Sequence, residues 1–311
     1  MKLSVIICTY NPRAEYLQRT LDGLRAQDLH FGDWELIVVD NASTESVADR
    51  FDLSWHPRGR HIREDELGLT PARLCGIRNA STEVLLFVDD DNVLDTDYLS
   101  KGLRIGIEYP WLGTWGGQQT GEFEVDPPKQ LLPYIEMLAI RKVKRVQWSN
   151  IYQFASTPVG AGMFIRKDIA QNYLKKATSN THMKGLDRKG SSLASAGDID
   201  MAWTAIDSGY GCGVFPELHL VHIISKGRLT EEYFLRLKYG IMYSGTIVEH
   251  LRGVENPFKP GSRVRRVFSK LFRKFYFDSF TYRMFYAERK AREDGLQFIQ
   301  KHGIQPESVS K

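Results

Sequence analysis

Apolar positions in the first hundred residues follow two rhythms. Short, nearly continuous apolar runs cover residues 3–9, 34–39 and 83–88, the make-up of strands buried on both faces of a sheet. Between them, Leu17, Leu21 and Leu24 recur at i, i+4 and i+7, which marks one helical face, with Asn11 as the expected cap and Pro12 in the first turn. Residues 69–80 predict a second helix, and Asp95 is expected to open a third that runs to residue 107. This β-α-β order predicts an α/β chain with a mostly parallel, doubly wound central sheet flanked by helices. Residues 178–195 are polar and rich in Gly and Ser and read as a mobile loop.

Polar residues cluster where the predicted strands stop: Thr9-Tyr10-Asn11, Asp40-Asn41 and Asp89-Asp90-Asp91. In an open α/β sheet these ends face one crevice, the place where ligands bind. Three consecutive carboxylates repel one another unless a positive charge sits among them, and a hard divalent cation with oxygen ligands meets that need. An acidic surface turn is the plainer alternative. Together the clusters predict a nucleotide pocket in which Tyr10 stacks on a base, Asp40 accepts hydrogen bonds from base or ribose, and the triplet holds a metal bridging a diphosphate. No Gly-rich phosphate loop follows the first strand, so metal and side chains must neutralise the diphosphate.

Bulk properties narrow the class. With 42% hydrophobic and 26% charged residues the composition is that of an ordinary globular chain of one large or two smaller domains. No apolar run approaches the ~20 residues that cross a bilayer, and residues 1–9 are too short for a signal peptide. Cys8, Cys75 and Cys212 are isolated, with neither zinc spacing nor a disulfide framework, which fits a cytoplasmic setting. The net charge of +4 is uneven: residues 252–292 hold 12 Lys/Arg against 3 Asp/Glu.

The chain resembles a family 2 glycosyltransferase of the GT-A fold. The resembling pieces are Ser4-Val5-Ile6-Ile7-Cys8-Thr9-Tyr10-Asn11, Ile37-Val38-Val39-Asp40-Asn41-Ala42-Ser43, Gly68-Leu69-Thr70-Pro71-Ala72-Arg73, Phe87-Val88-Asp89-Asp90-Asp91, Gly160-Ala161-Gly162-Met163-Phe164-Ile165-Arg166, Asp198-Ile199-Asp200, and Pro216-Glu217-Leu218-His219-Leu220-Val221-His222. Each is weak alone; seven in family order over residues 1–250 are specific. The resemblance implies an inverting hexosyltransferase-type enzyme that moves a sugar from a nucleotide-diphosphate sugar to a hydroxyl of a glycan or lipid-linked acceptor, as in polysaccharide synthesis. It implies a nucleotide-sugar half at about residues 1–117, an acceptor half at about 118–250, and a separate basic, aromatic, helical extension over 251–311.

For the site, the resemblance implies Thr9, Tyr10, Asn11, Asp40 and Arg73 on the nucleotide. The triplet resembles the DXD motif, with Asp91 as the direct ligand of Mn2+ or Mg2+, Asp89 or Asp90 on ribose or sugar, and Asp89 also a candidate metal ligand. The general base is expected at Asp198, with Asp200 second, in a place where the family carries Glu-Asp and this chain has Gly197-Asp198. A helix N-cap is the alternative role for Asp198. His222 is expected near metal or diphosphate, or else as a structural histidine, and His219 on the opposite strand face. Lys226 and Arg228 are weak phosphate candidates that also read as surface charge. Gly160, Ala161, Gly162 and Met163 are expected beside sugar and acceptor, or as a tight turn into a buried strand. Of Trp111, Trp115 and Trp148, at least two are expected in the core.

Residues 263–275, plotted at about 100° per residue, place Val264, Val267, Phe268, Leu271, Phe272 and Phe275 on one face and Arg/Lys on the rest. That is the pattern of a helix lying on an anionic membrane, and equally of a helix packed on its own domain. No nucleic-acid motif supports that partner. Two other functions share the features: a sugar nucleotidylyltransferase, which would carry the missing Gly-rich loop, and a non-catalytic nucleotide-sugar-binding domain, to which only Gly197 lends support.

Overall fold

A computed structural model describes residues 1–179, 187–188, 193–254, 258 and 278–306. The apolar runs become strands β1 (Leu3–Thr9), β2 (Trp34–Asn41) and β4 (Val84–Asp89), joined by β3 (Gly59–Glu64), β5 (Asn92–Leu94), β6 (Leu112–Phe123), β7 (Gln147–Ser149), β8 (Met163–Arg166) and β9 (Gly211–Ile224). They form one sheet in the order β3-β2-β1-β4-β8-β6-β9-β5, with β7 paired to β9. The strands β3, β2, β1 and β4 pair in parallel, and so do β6 and β9. Because β8 runs against both β4 and β6, these six strands share one direction. Only β5, β7 and β8 run the other way, so the sheet is mostly parallel.

Alternation along the strands divides the core. Ile6, Ile37, Val39, Leu85 and Phe87 face helices α2 (Leu69–Asn79), α4 (Lys167–Ser179) and α5 (Gly197–Asp207). Val5, Ile7, Leu36, Val38, Leu86 and Val88 face α1 (Ala14–Arg25) and α3 (Tyr98–Glu108). Each fully buried aliphatic side chain contributes about 1.5–3 kcal/mol, which is why continuous apolar runs are used where both faces are covered. A third cluster joins Leu131, Ile224, Phe234 and Leu237 to Phe280 and Met284, tying α6 (Glu231–Leu251) to the last helix, α7 (Ser279–His302).

Several local expectations change. Helix α1 starts at Ala14, not at Asn11: Asn11 adopts φ 47°, and its side-chain oxygen accepts from Thr44 N at 2.9 Å, fastening the end of β1 to the turn after β2. Helix α3 starts at Tyr98, and the Asp95 carboxylate instead meets His219 Nδ1 at 2.9 Å. In the stretch expected to be a mobile loop, Thr178 and Ser179 finish α4 and Asp187, 4% exposed, pairs with a buried arginine, while 180–186 and 189–192 lie outside the described residues. Only Trp115 of the three tryptophans is core; Trp111 and Trp148 are about half exposed and lean on each other. Residues 263–275 lie outside the described residues, whereas Phe280 of α7 is buried edge-on against Tyr134. No described helix is long and apolar enough to cross a membrane.

Candidate active site

The parallel register sets Thr9 beside Asp40 and Cys8 beside Asp89, so the ends of β1, β2 and β4 meet at one edge. A cavity of about 310 Å³ opens there. Its walls bring together Thr9, Tyr10, Arg73, the whole acidic triplet, Gly160, Ala161, Asp198, His222 and Arg228, residues spread over 220 positions of sequence. Tyr10 stands at the mouth, 47% exposed.

The three carboxylates differ. Asp90 accepts a short hydrogen bond from the Thr9 hydroxyl. Burial, then the charge of Asp91, pushes its carboxyl up to about 7. Asp91 is also buried, and burial alone would raise it. His222 and Arg228 beside it nevertheless hold its carboxyl well below the usual range. The Asp91 carboxylate oxygen Oδ2 lies 3.4 Å from His222 Nε2 and 3.2 Å from Arg228 Nη1. The same guanidinium nitrogen donates to His222 Nε2 at 2.9 Å. A positive charge therefore sits at the corner between carboxylate and imidazole.

That corner fits a small divalent cation in part. Two neighbouring ligands of one octahedral ion lie about 3 Å apart, close to the Asp91–His222 separation. The two supply one hard oxygen and one imidazole nitrogen, an acceptable set for Mn2+. Among the described residues no three His, Cys, Asp or Glu side chains form a complete cage. An ion here would need its remaining ligands from outside these side chains, as Mg2+ does when it keeps several waters.

Across the cavity, the start of α5 presents Asp198. Its Oδ2 accepts from Gly160 N at 3.1 Å and its Oδ1 from Ile199 N at 2.8 Å. The cap of α5 is Ala196, so Asp198 sits inside the first turn and is not the cap. Burial raises its carboxyl above the ordinary Asp value, and the nearby Arg73 guanidinium opposes that rise. A side chain at 160 would not fit: a Cβ added to Gly160 would lie 2.8 Å from Arg73 Nη2 and 2.9 Å from Asp198 Cβ. Arg73 is 4% exposed, and its Nη1 donates to Asp187 at 2.7 Å.

Other expected site residues stand elsewhere. The Asp40 carboxylate turns into the loop after β2, accepting from Ser43 N at 3.0 Å, Val47 N at 3.2 Å and Arg63 Nη1 at 2.9 Å. Asn41 forms that part of the wall instead. Asp200, the second candidate base, is only 2% exposed and its carboxylate accepts from Arg252 Nη2 at 2.6 Å, so it is turned away from the cavity. Lys226 is off the cavity, its backbone N–H held by Glu124 at 2.7 Å. Met163 is a fully buried core residue, and Gly162 adopts φ 76° with its carbonyl accepting from Tyr98 Oη at 2.7 Å. Sequence reasoning missed Asp187, Arg188 and Tyr233, which also line the cavity. The one hint was Gly197, whose missing side chain leaves room for a group from another segment.

The sequence model of glycosyl transferase family 2 matches residues 4–174. Glycosyltransferase GlyA of Streptococcus pneumoniae is 31% identical over 111 residues, 35% of this chain and 15% of that protein. Glycosyltransferase AglE of Haloferax volcanii is 32% identical over 104 residues, 32% of this chain and 34% of the relative. The chain thus spans about a third or less of the length of these two relatives. Among solved structures, Staphylococcus aureus TarS 1–349 in complex with UDP-GlcNAc superposes with a TM-score of 0.53 at 17% identity, covering 78% of this chain and 66% of that one. A second crystal structure of TarS 1–349 gives a TM-score of 0.51 at 15% identity, covering 96% of this chain and 92% of that one. At these identities the likeness shows a shared fold. With more than half of its residues under the family match, the chain belongs to glycosyl transferase family 2.

Proposed function

We propose that this protein transfers a sugar, with inversion, from a nucleoside-diphosphate sugar to a hydroxyl of a glycan or lipid-linked acceptor. One observation carries the reading: a partly buried carboxylate of raised basicity, Asp198, faces the same cavity as the Arg228 guanidinium at the Asp91–His222 corner. One end accepts a proton; the other meets a leaving diphosphate.

In this reading the nucleoside lies over the ends of β1 and β2, with Tyr10 against the base. The acceptor hydroxyl attacks the anomeric carbon, its proton passes to Asp198, and the bond from that carbon to phosphate oxygen breaks with its electron pair leaving on the diphosphate. Arg228 lies where it can pair with the diphosphate. Asp91 and His222 would hold Mn2+ or Mg2+, which when bound supplies Lewis-acid neutralisation of the leaving group.

A panel of nucleotide sugars, beginning with UDP sugars, assayed for transfer and hydrolysis with and without Mn2+, tests the proposal. Release of nucleoside diphosphate from one donor, lost in Asp198→Asn, is expected. No turnover of any donor, or near-normal turnover in that variant, would overturn it.

A further inference from the structure

The start of α5 has a hollow that its own sequence does not fill. A Cβ added to Gly197 would lie 2.3 Å from Asp187 Oδ2 and 2.6 Å from its Cγ, so the Asp187 carboxylate occupies the space of a side chain at 197. The group is fixed. Asp187 is 4% exposed, accepts from Arg73 Nη1 at 2.7 Å and Thr70 Oγ1 at 3.4 Å, and takes Arg188 N on its other oxygen at 2.9 Å. The next carbonyl, Arg188 O, accepts from Leu69 N at 3.0 Å, which pins this short segment to the start of α2.

Arg73 therefore stands between two carboxylates, the buried Asp187 and the partly buried Asp198. Its Nη1 is taken by Asp187, while Nη2 lies against Gly160, whose N–H holds Asp198. A lone buried guanidinium beside Asp198 would stabilise its ionised form and weaken it as a base. A second carboxylate sharing that guanidinium does the opposite.

We infer that Asp187 is a positioning residue for the reaction: by occupying the Gly197 hollow it takes one edge of Arg73 and keeps Asp198 a competent base. The inference rests on the role proposed for Asp198 and names what tunes it. The groups facing Asp198 are Arg73 from α2 and Asp187; Asp89 at the end of β4 and Tyr173 of α4 face Arg73 from other sides. Asp200, on the same helix, is committed to Arg252.

The experiment is the pH profile of kcat for donor turnover in three folded variants. In Asp187→Asn the shape is kept and the charge removed, so the acid limb should move down by about one pH unit. The plateau should fall about three- to tenfold, because a weaker base takes the proton less well. Gly197→Ala, which expels the carboxylate from its hollow, should give the same shift. Asp187→Gly combined with Gly197→Glu, which returns a carboxylate to the hollow from the helix itself, should restore the limb. An unmoved limb in Asp187→Asn, a fall in kcat without a shift, or loss of folding in both single variants would overturn the inference and make the pair scaffold. Asp198→Asn keeps the two failures apart: if it retains turnover the base assignment itself falls, whereas if it is inactive and the Asp187→Asn limb is unmoved, only the role of Asp187 falls.

Discussion

Two aspartates two residues apart on α5 should answer the same substitution in opposite ways. Asp200 lies 2.6 Å from Arg252 Nη2 and 3.5 Å from Lys176 Nζ, with both Asp200 and Arg252 at or below 3% exposure. Removing one charge of a buried pair costs about 3–5 kcal/mol, since the other is left buried. Asp207, 3.0 Å from the same guanidinium nitrogen, retains part of the pairing, so Asp200→Asn should cost about 2–3 kcal/mol, or roughly 4–8 °C in Tm. Asp198 is different. Burial already disfavours its charge, so Asp198→Asn relieves that cost while setting an amide NH2 against Gly160 N–H. The two changes nearly cancel, and the net effect should stay within about 1 kcal/mol. On activity the order reverses: loss of the base should lower kcat about 10²–10⁴-fold, whereas Asp200→Asn should retain most turnover at a temperature where it stays folded. Thermal unfolding followed by circular dichroism, paired with turnover at 20 °C, reads both effects. Equal destabilisation by the two substitutions, or equal loss of kcat, would refute the division of roles.

Other outcomes follow from the same geometry. Because the carboxyl of Asp198 is raised and must be ionised to take a proton, the acid limb of kcat should fall above the range of an exposed aspartate; the same raised value means ionisation of Asp198 opposes folding, so the wild type should lose stability relative to Asp198→Asn as pH rises through that limb. A chelator should abolish turnover and Mn2+ should restore it in the wild type but not in Asp91→Ala, while Asp89→Ala should only weaken it; chelator-insensitive turnover would remove the cation from the proposal. Gly160→Ala must push Arg73 or Asp198 by about half an ångström and should lower kcat about 10–100-fold, whereas Gly245→Ala in α6, which meets nothing within 4 Å, should raise stability by about 0.5–1 kcal/mol. If residues 263–275 meet an anionic membrane, replacing their Arg and Lys by Gln should abolish flotation with anionic liposomes, and unchanged flotation would exclude electrostatic attachment.

The parallel half of the fold was legible because a strand covered on both faces must be continuously apolar, and β1, β2 and β4 are. Their adjacency then made Thr9-Tyr10 and the acidic triplet one edge of a cavity before any side chain was placed. Helix starts were less legible because polar residues near them had other partners: Asn11 is spent on Thr44 and Asp95 on His219. Asp40 illustrates the same limit, since a carboxylate at a strand end can serve a ligand or its own surroundings, and two backbone donors of the following loop and Arg63 of β3 take it. Asp187 was hidden for a different reason. It sits in a Gly- and Ser-rich stretch with no period, and its meaning depends on a contact with Arg73 of α2, 114 positions earlier, and on the hollow at Gly197 of α5.

The charge around the cavity also decides what the donor must bring. Its walls carry five aspartates, Asp89, Asp90, Asp91, Asp187 and Asp198, against three arginines, Arg73, Arg188 and Arg228. Arg73 is shared between Asp187 and Asp198, and Arg228 is set on Asp91. Burial and the neighbouring Asp91 push Asp90 up to about 7, so near neutrality a proton there offsets part of the excess negative charge. A nucleoside diphosphate adds negative charge to a site that is already negative, and in a buried site that repulsion is poorly screened. Binding then requires added positive charge, from a divalent cation at the Asp91–His222 corner, from protons taken up by the carboxylates, or from both. A divalent cation held by Asp91 and His222 would supply that charge beside both the triplet and the diphosphate.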